Sequence, residues 1–113
     1  MGLLENLEAM LAAGQDNALL RFTLGGELLK QGNARLAAEH LREAVHQDPE
    51  YSAAWKILGK ALYALNDFSG ACRAYERGIG TAEHKGDIQA AREMRVFLKR
   101  AQKAATDSTG KLS

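Results

Sequence analysis

The feature that most constrains this chain is a pattern of small and apolar residues that recurs after 34 positions. The recurring pairs are Leu24 and Leu58, Gly25 and Gly59, Leu28 and Leu62, Ala37 and Ala71, and Leu41 and Tyr75. The turn-forming dipeptides Gly32-Asn33 and Asn66-Asp67 coincide in the same alignment, and no gap is needed. Self-similarity at a fixed period of this length is typical of repeat architectures, in which one supersecondary unit stacks against the next copy.

Apolar residues at three- and four-residue spacing predict six helices. The predicted ranges are 3–13, 17–31, 34–47, 52–65, 68–84 and 88–104. Asp16 is the predicted N-cap of the second helix and Asp67 that of the fifth, because an aspartate oxygen accepts a hydrogen bond from an unpaired helix amide. Pro49 ends the third helix, since proline disfavours helical geometry at the residue before it. With only 6% aromatic residues and one proline, the composition also favours an all-α fold.

Six residues of the second copy follow a known helical-hairpin pattern: Trp55, Leu58, Gly59, Leu62, Ala71 and Tyr75. The pattern is Trp-x2-Leu-Gly-x2-Tyr in the first helix and Ala-x3-Phe in the second, followed by a proline. Residues 16–85 therefore resemble two copies of the tetratricopeptide repeat. The first copy keeps the closing Pro49 but has Arg21 at the tryptophan position. The second has Glu83 instead of the proline, so its second helix is expected to run longer.

The resemblance implies an all-α, right-handed α-solenoid of antiparallel helix pairs with about six helices. We expect one domain over residues 1–105, made of a half-repeat helix (1–15), two repeats (16–49 and 50–85) and a C-terminal capping helix (87–105), followed by a flexible tail (106–113). A repeat protein needs about three units to bury a continuous core. The two end helices are therefore expected to cover the open sides of the two repeats, with the basic side of the last helix facing water.

In the family that the chain resembles, the first helices of the repeats line a concave groove that holds a partner peptide. The matching positions are Ala53, Lys56, Lys60 and Tyr63 on the fourth helix, and Leu19, Phe22, Gly26 and Leu29 on the second, with Lys30 at its edge. We expect a partner that carries an acidic group beside an apolar or aromatic side chain, and the alternative is that both groove lysines are simply solvated. The family's clamp for a C-terminal carboxylate uses Lys and Asn where this chain has Phe22 and Gly26, so that clamp is not expected.

The second helix is apolar on both sides, which is typical of a buried helix. Its stripe of Leu19, Phe22 and Leu29 is expected to be covered by the N-terminal helix, by a second subunit or by a ligand. The predicted function is a protein–protein interaction adaptor or scaffold. A structural homodimer that buries this stripe is the first alternative.

The basic stripe of the last helix supports a second alternative, the binding of an anion or a nucleic acid. This stripe consists of Arg92, Arg95, Lys99 and Lys103. No aromatic residues alternate with the cations to stack on bases, and the formal net charge is only +1. A solvated surface is therefore the favoured interpretation, and nucleic acid is the less favoured partner.

The ionisable residues predict no catalytic or metal site. His40, His46 and His84 have no acidic or cysteine partner at the spacing of a metal site or a catalytic triad, and we expect them at the surface. Cys72 is the only cysteine, which excludes an internal disulfide, and we expect it to be a small buried hydrophobe. The chain is therefore predicted not to be an enzyme and to need no cofactor or metal. No apolar run approaches the about 20 residues of a membrane span, and we expect a cytoplasmic location and no membrane partner.

Overall fold

The computed structural model describes residues 2–110, and this range folds into six α-helices. The helices are α1 (Leu3–Ala12), α2 (Ala18–Lys30), α3 (Ala34–Gln47), α4 (Ser52–Ala64), α5 (Phe68–His84) and α6 (Ile88–Gly110). No strand occurs within the described range. The prediction of an all-α helical repeat with one helix per periodic segment is confirmed.

Backbone reversals after α2 and α4 fall at equivalent places in the two repeats. Gly32 has a φ of 84° and Asn66 a φ of 63°, and both lie in the left-handed region that closes a helix. Glycine adopts this region without steric cost, and asparagine tolerates it better than other residues. The 34-residue period therefore repeats the turn geometry as well as the helices.

The N-cap of α2 is Asn17, and the prediction that Asp16 caps this helix is wrong. The Asn17 Oδ1 atom accepts a hydrogen bond from the Leu20 amide at 2.8 Å. An N-cap oxygen must bond an amide two or three residues ahead, and Asp16 lies one residue too early to do so. At the start of α5, Asp67 Oδ1 accepts from the Gly70 amide at 3.0 Å, which confirms the predicted cap there.

The six helices form two layers that curve toward one side. The molecule is 19 Å across its thinnest dimension, which fits two helices of about 10 Å diameter. Each helix packs against the next along the chain, and within one layer α4 brings Cα atoms within 8 Å of both α2 and α6. In the other layer, no Cα atom of α3 comes that close to α1 or α5. The layer of α2, α4 and α6 is therefore the inner, concave one.

Helix pairs within each repeat cross closely at a glycine. A Cβ added to Gly25 would lie 2.4 Å from Cγ of Leu41, and one added to Gly59 would lie 2.4 Å from Cε1 of Tyr75. Both distances are far shorter than a carbon–carbon contact of about 3.5 to 4.0 Å. The absence of a side chain at these glycines is what allows each pair of helices to meet.

The two end helices contribute to the core as the sequence predicts. In α1, Leu7 is buried in a cluster with Leu20 and Leu24 of α2. In α6, Ala91 and Met94 are buried in the main core. The predicted basic stripe of α6 is exposed at all four of its positions, Arg92, Arg95, Lys99 and Lys103.

The last two helices differ in how well the sequence predicts their ends. Helix α5 ends at His84, so the longer helix expected without a closing proline is confirmed. Helix α6 continues to Gly110, so the predicted end of this helix at 104 is wrong and residues 106–110 of the predicted tail are helical. No proline or glycine occurs from Ile88 to Thr109, and the helix propensity of Ala104 and Ala105 favours continuation of α6. The remainder of the predicted tail, 111–113, lies outside the described residues.

Candidate peptide-binding groove

The concave layer contains three hollows that follow one another from α2 to α6. The α2/α4 hollow has a volume of about 470 Å³ and is lined by Phe22, Gly26, Leu29, Lys30, Ile57 and Lys60, among others. The aromatic hollow, of about 200 Å³, is lined by Lys60, Tyr63, Tyr75, Phe97 and Arg100. The α4/α6 hollow, of about 340 Å³, includes Ala53, Lys56 and Glu93. Eight of the nine predicted groove residues thus line hollows on one face.

The α2/α4 hollow combines an apolar floor with a charged rim. Phe22, Leu29 and Ile57 are all half-buried and pack against the main core. The Phe22 ring is fixed by the ring of Tyr51, with 4.9 Å between their centroids. A Cβ added to Gly26 would have no atom within 4 Å, so the hollow is open above this glycine. The floor can accept an apolar side chain of a partner.

The aromatic hollow brings two cations to one ring. The Lys60 Nζ atom lies 5.0 Å from the centroid of the Phe97 ring, and the Arg100 guanidinium lies 5.7 Å from the same centroid. Such cation–π contacts hold the two charges in place without neutralising them. Beneath them, burial is the main cause that raises the pKa of Tyr75 to about 12. Its hydroxyl therefore stays protonated at neutral pH, and the net charge of the hollow is positive.

Lys60 and Lys56 differ in their surroundings, although both were assigned to the groove from sequence. The Lys56 Nζ atom lies 3.4 Å from the Glu93 carboxylate on α6, whereas Lys60 has no carboxylate within ion-pair distance in the described part of the chain. Lys60 also lines both the α2/α4 hollow and the aromatic hollow. It is therefore the more available of the two charges.

Leu19 lies apart from the other predicted groove residues. Its side chain is 64% exposed, and it lines none of the three hollows. The N-terminal helix packs on Leu20 and Leu24 instead, because these residues lie on the side of α2 that faces α1. Only Leu3 of α1 reaches the α2/α4 hollow. The stripe of Leu19, Phe22 and Leu29 is thus not covered by the N-terminal helix along its length.

Sequence reasoning missed Ile57, Phe97 and Arg100 as groove residues. Ile57 lies next to Lys56 and three residues before Lys60, so its helical spacing was a usable signal. Phe97 shares the apolar side of α6 with Met94, but it is half-buried and also contacts Lys60. The position of Arg100 had no such signal, because it depends on where α6 crosses α4.

Arg21, which replaces the first repeat's tryptophan, organises a polar network outside the groove. Its guanidinium donates two hydrogen bonds to the Asp16 carboxylate, both at 2.8 Å. Gln47 Nε2 donates to the same carboxylate at 3.0 Å, and Arg21 Nη1 lies 3.2 Å from His40 Nδ1. The bonds from Arg21, followed by the one from Gln47, hold the pKa of Asp16 well below its usual range.

His40 is a correction to the expectation that all three histidines lie at the surface. Burial, followed by the nearby charge of Arg21, lowers its pKa, and its ring is half-buried. His46 and His84 are exposed, as predicted.

Cys72 is half-buried and not fully buried, and burial raises the pKa of its thiol. This favours the unreactive protonated form.

Two further features are absent from residues 2–110. Nowhere in residues 2–110 do three histidine, cysteine or acidic side chains converge as metal ligands would. Over the same range, no helix combines the length and the apolar character required to cross a membrane.

The fold and the repeat pattern agree with a known protein family. A family model described as tetratricopeptide repeat matches residues 22–84, which is more than half of the chain. The chain belongs to the tetratricopeptide repeat family. Members of this family are generally protein–protein interaction modules and non-enzymatic scaffolds.

Similar proteins and structures cover nearly the whole chain. A tetratricopeptide repeat-containing protein of Pseudomonas aeruginosa is 55% identical over 104 residues, which is 92% of this chain and 99% of that protein. A solution structure of a protein from Bordetella parapertussis is 45% identical with a TM-score of 0.79, and the match covers 94% of this chain and 92% of that one. A crystal structure of a tetratricopeptide repeat domain protein from Salinibacter ruber is 29% identical with a TM-score of 0.70, covering 76% and 97%.

Proposed function

We propose that this protein is an adaptor that holds a segment of a partner protein along its concave face. The observation that carries the proposal is the position of Lys60, which lines both the α2/α4 hollow and the aromatic hollow. A segment that lies across this lysine can place an apolar side chain on one side and a charged group on the other. Tetratricopeptide repeat proteins generally bind other proteins, and this supports the proposal.

The chemistry of the groove favours a partner segment that carries both acidic and apolar side chains. Lys60 and Arg100 lie at the aromatic hollow. At the α2/α4 hollow, Lys30 and Lys60 stand against one acidic lining residue, Glu27. A carboxylate near these cations makes charge-assisted hydrogen bonds. An apolar side chain on Phe22 and Ile57 loses contact with water, and this burial favours binding.

A capture experiment with one charge reversal tests the proposal. The tagged wild type, Lys60→Glu and Lys103→Glu are used in parallel to capture partners from the native cell. Lys103 is exposed on α6 and away from the groove hollows, so its reversal is a control for net charge. We expect Lys60→Glu to lose the captured partner and Lys103→Glu to retain it. Equal capture by all three proteins would overturn the groove assignment.

Lys56 offers a second variant for the same experiment. Because its charge already faces Glu93 at 3.4 Å, Lys56→Glu is expected to weaken capture less than Lys60→Glu. The double variant of both lysines is expected to abolish capture. Circular dichroism of each variant checks that the helices are retained.

Self-association through α2 is the alternative that a specific observation supports. Leu19 is 64% exposed and belongs to the same stripe as Phe22, which is half-buried. A second copy of the chain can cover both side chains. A dilution series by sedimentation distinguishes this arrangement, because a homodimer dissociates as the concentration falls. If the protein is a monomer at all concentrations, self-association is excluded and Leu19 is available to a different partner.

A further inference from the structure

The convex side of the molecule contains a second open site, which we call the α3/α5 furrow. No Cα atom of α3 lies within 8 Å of one in α5, so a gap remains between these two helices. The α4 residues Trp55, Leu58 and Leu62 line its base, and the enclosed volume is about 670 Å³. This volume exceeds that of each hollow on the concave face.

Basic side chains occupy both walls of the furrow. Arg42 and His46 lie one turn apart on α3, and Arg73 and Arg77 lie one turn apart on α5. All four are exposed. The structure records no ion pair within 4.0 Å for any of the three arginines among residues 2–110. The guanidinium of Arg77 lies 4.9 Å from the Trp55 ring, which positions its charge over the base of the furrow.

Two carboxylates line the furrow beside the three arginines. One belongs to Asp67, whose Oδ1 atom accepts the capping bond from the Gly70 amide. The other belongs to Glu76. The three guanidiniums outnumber these two carboxylates, so the lining has a formal charge of +1.

The equivalent positions one repeat earlier carry the opposite charge. A shift of 34 residues places Glu8 on Arg42, Glu39 on Arg73 and Glu43 on Arg77. Because acidic residues occupy these places in α1 and α3, the packing of the helices does not require arginine there. The same shift places Arg21 on Trp55, so the indole at the base is also particular to the second repeat.

We propose that the α3/α5 furrow binds an acidic, amphipathic segment of a partner protein, separate from the concave groove. Carboxylates of the segment would lie between the guanidiniums of the two walls, which bind carboxylates in a planar, bidentate manner. An apolar side chain would lie against Trp55 and Val45 at the base. The furrow follows α5 from Asp67 to Arg77, a length of about 15 Å that suits three turns of a helix.

Trp55 allows a direct test, because it is the only tryptophan of the chain and it lines the furrow. The probe is a synthetic helical peptide of leucine and glutamate whose glutamates recur every four residues, and the control peptide has glutamine at each glutamate. Titration of the wild type with the acidic peptide should change the Trp55 emission to saturation. The glutamine peptide should not produce this change.

Two charge-reversed proteins locate the binding site. Arg42→Glu with Arg73→Glu removes one cation from each wall without touching Arg77, and we expect affinity for the acidic peptide to fall by about tenfold or more. Arg35→Glu with Arg92→Glu makes the same change in net charge at exposed positions outside the furrow, and affinity should stay close to that of the wild type. Isothermal calorimetry repeats the comparison independently of the indole. If circular dichroism shows that the double variant Arg42→Glu with Arg73→Glu has lost helical structure, the milder pair Arg42→Gln with Arg73→Gln is used in its place.

Four outcomes would overturn the proposal. Equal weakening by both charge-reversed pairs would show a general charge effect. Loss of binding in Lys60→Glu together with full binding in the furrow variant would place the peptide in the concave groove. A titration without saturation would exclude an acidic peptide as the occupant. An emission change that follows protein concentration alone would indicate that a second copy of the chain is the occupant.

Discussion

Gly59 and Tyr75 meet where α4 crosses α5, and the Tyr75 ring occupies the place of the missing Gly59 side chain. A Cβ on Gly59 would lie 2.4 Å from Cε1 of the ring, and Tyr75 itself is only 2% exposed. The same relationship joins Gly25 to Leu41 one repeat earlier. The period of the sequence is therefore a period of close contacts between paired helices.

Alanine at the crossing glycines should destabilise the fold, although alanine usually favours a helix over glycine. We expect Gly59→Ala and Gly25→Ala each to lower the free energy of unfolding by about 1 to 3 kcal/mol, because the added methyl overpacks the core. Gly80→Ala is the matched control, since a Cβ there has no atom within 4 Å. It should raise stability by about 0.5 to 1 kcal/mol. Urea unfolding measures all three, and a stabilised Gly59→Ala would contradict the packing role.

Trp55 should contribute less to stability than a tryptophan buried completely in a core. Its side chain is half-buried, so we expect Trp55→Ala to cost about 2 to 3 kcal/mol, below the range of about 3 to 5 for buried aromatic residues. Trp55→Phe retains most of the packing but loses the hydrogen bond from Nε1 to the Pro49 carbonyl, which is 2.8 Å long. That variant should lose about 1 kcal/mol. An unchanged melting temperature in Trp55→Ala would contradict this account.

The repeat, the helices and most of the residues that line the concave hollows were predictable because they depend on local spacing. The crossing pair of Gly59 and Tyr75 recurs at a fixed distance along the chain, and Lys56 and Lys60 share one side of α4 by helical periodicity. The helix cap at Asn17 was missed because Asp16 and Asn17 are both good caps. Only Asn17 lies three residues before Leu20, and the Asp16 carboxylate bonds Arg21 instead.

Contacts between different helices could not be predicted from sequence patterns. Phe97 meets Lys60, and Glu93 meets Lys56, only because α6 lies beside α4 in the inner layer. The half-buried state of His40 likewise depends on Arg21, a residue that departs from the family pattern.

His40 should make the stability of the protein sensitive to mild acid. The folded state lowers the pKa of this histidine, chiefly through burial and then through Arg21, while Glu39, Glu8 and Asp16 act weakly in the other direction. Below the ordinary value of about 6.5, the unfolded chain therefore binds more protons at this position than the folded one. The free energy of unfolding should fall as the pH drops below that value and should be retained above it.

The variant His40→Gln isolates this contribution. It keeps a side chain that can bond Arg21 but removes the titration, so its urea midpoint should change less between pH 7.5 and pH 5 than that of the wild type. Asp16, whose pKa is also lowered, loses its stabilising charge only at much lower pH and does not interfere in this window. Parallel pH profiles for the two proteins would show that His40 is not responsible.

The concave groove is tested most directly by photo-crosslinking from inside it. A photoreactive phenylalanine derivative replaces Gly26, where a side chain projects into open space, and a second protein carries it at the exposed Gln102 of α6. On irradiation in the native cell, we expect a covalent adduct with a discrete partner from position 26 and none from position 102. Adding Lys60→Glu to the first protein should remove the adduct. Equal adducts from both positions, or an adduct that survives Lys60→Glu, would contradict the claim that the concave face holds the partner.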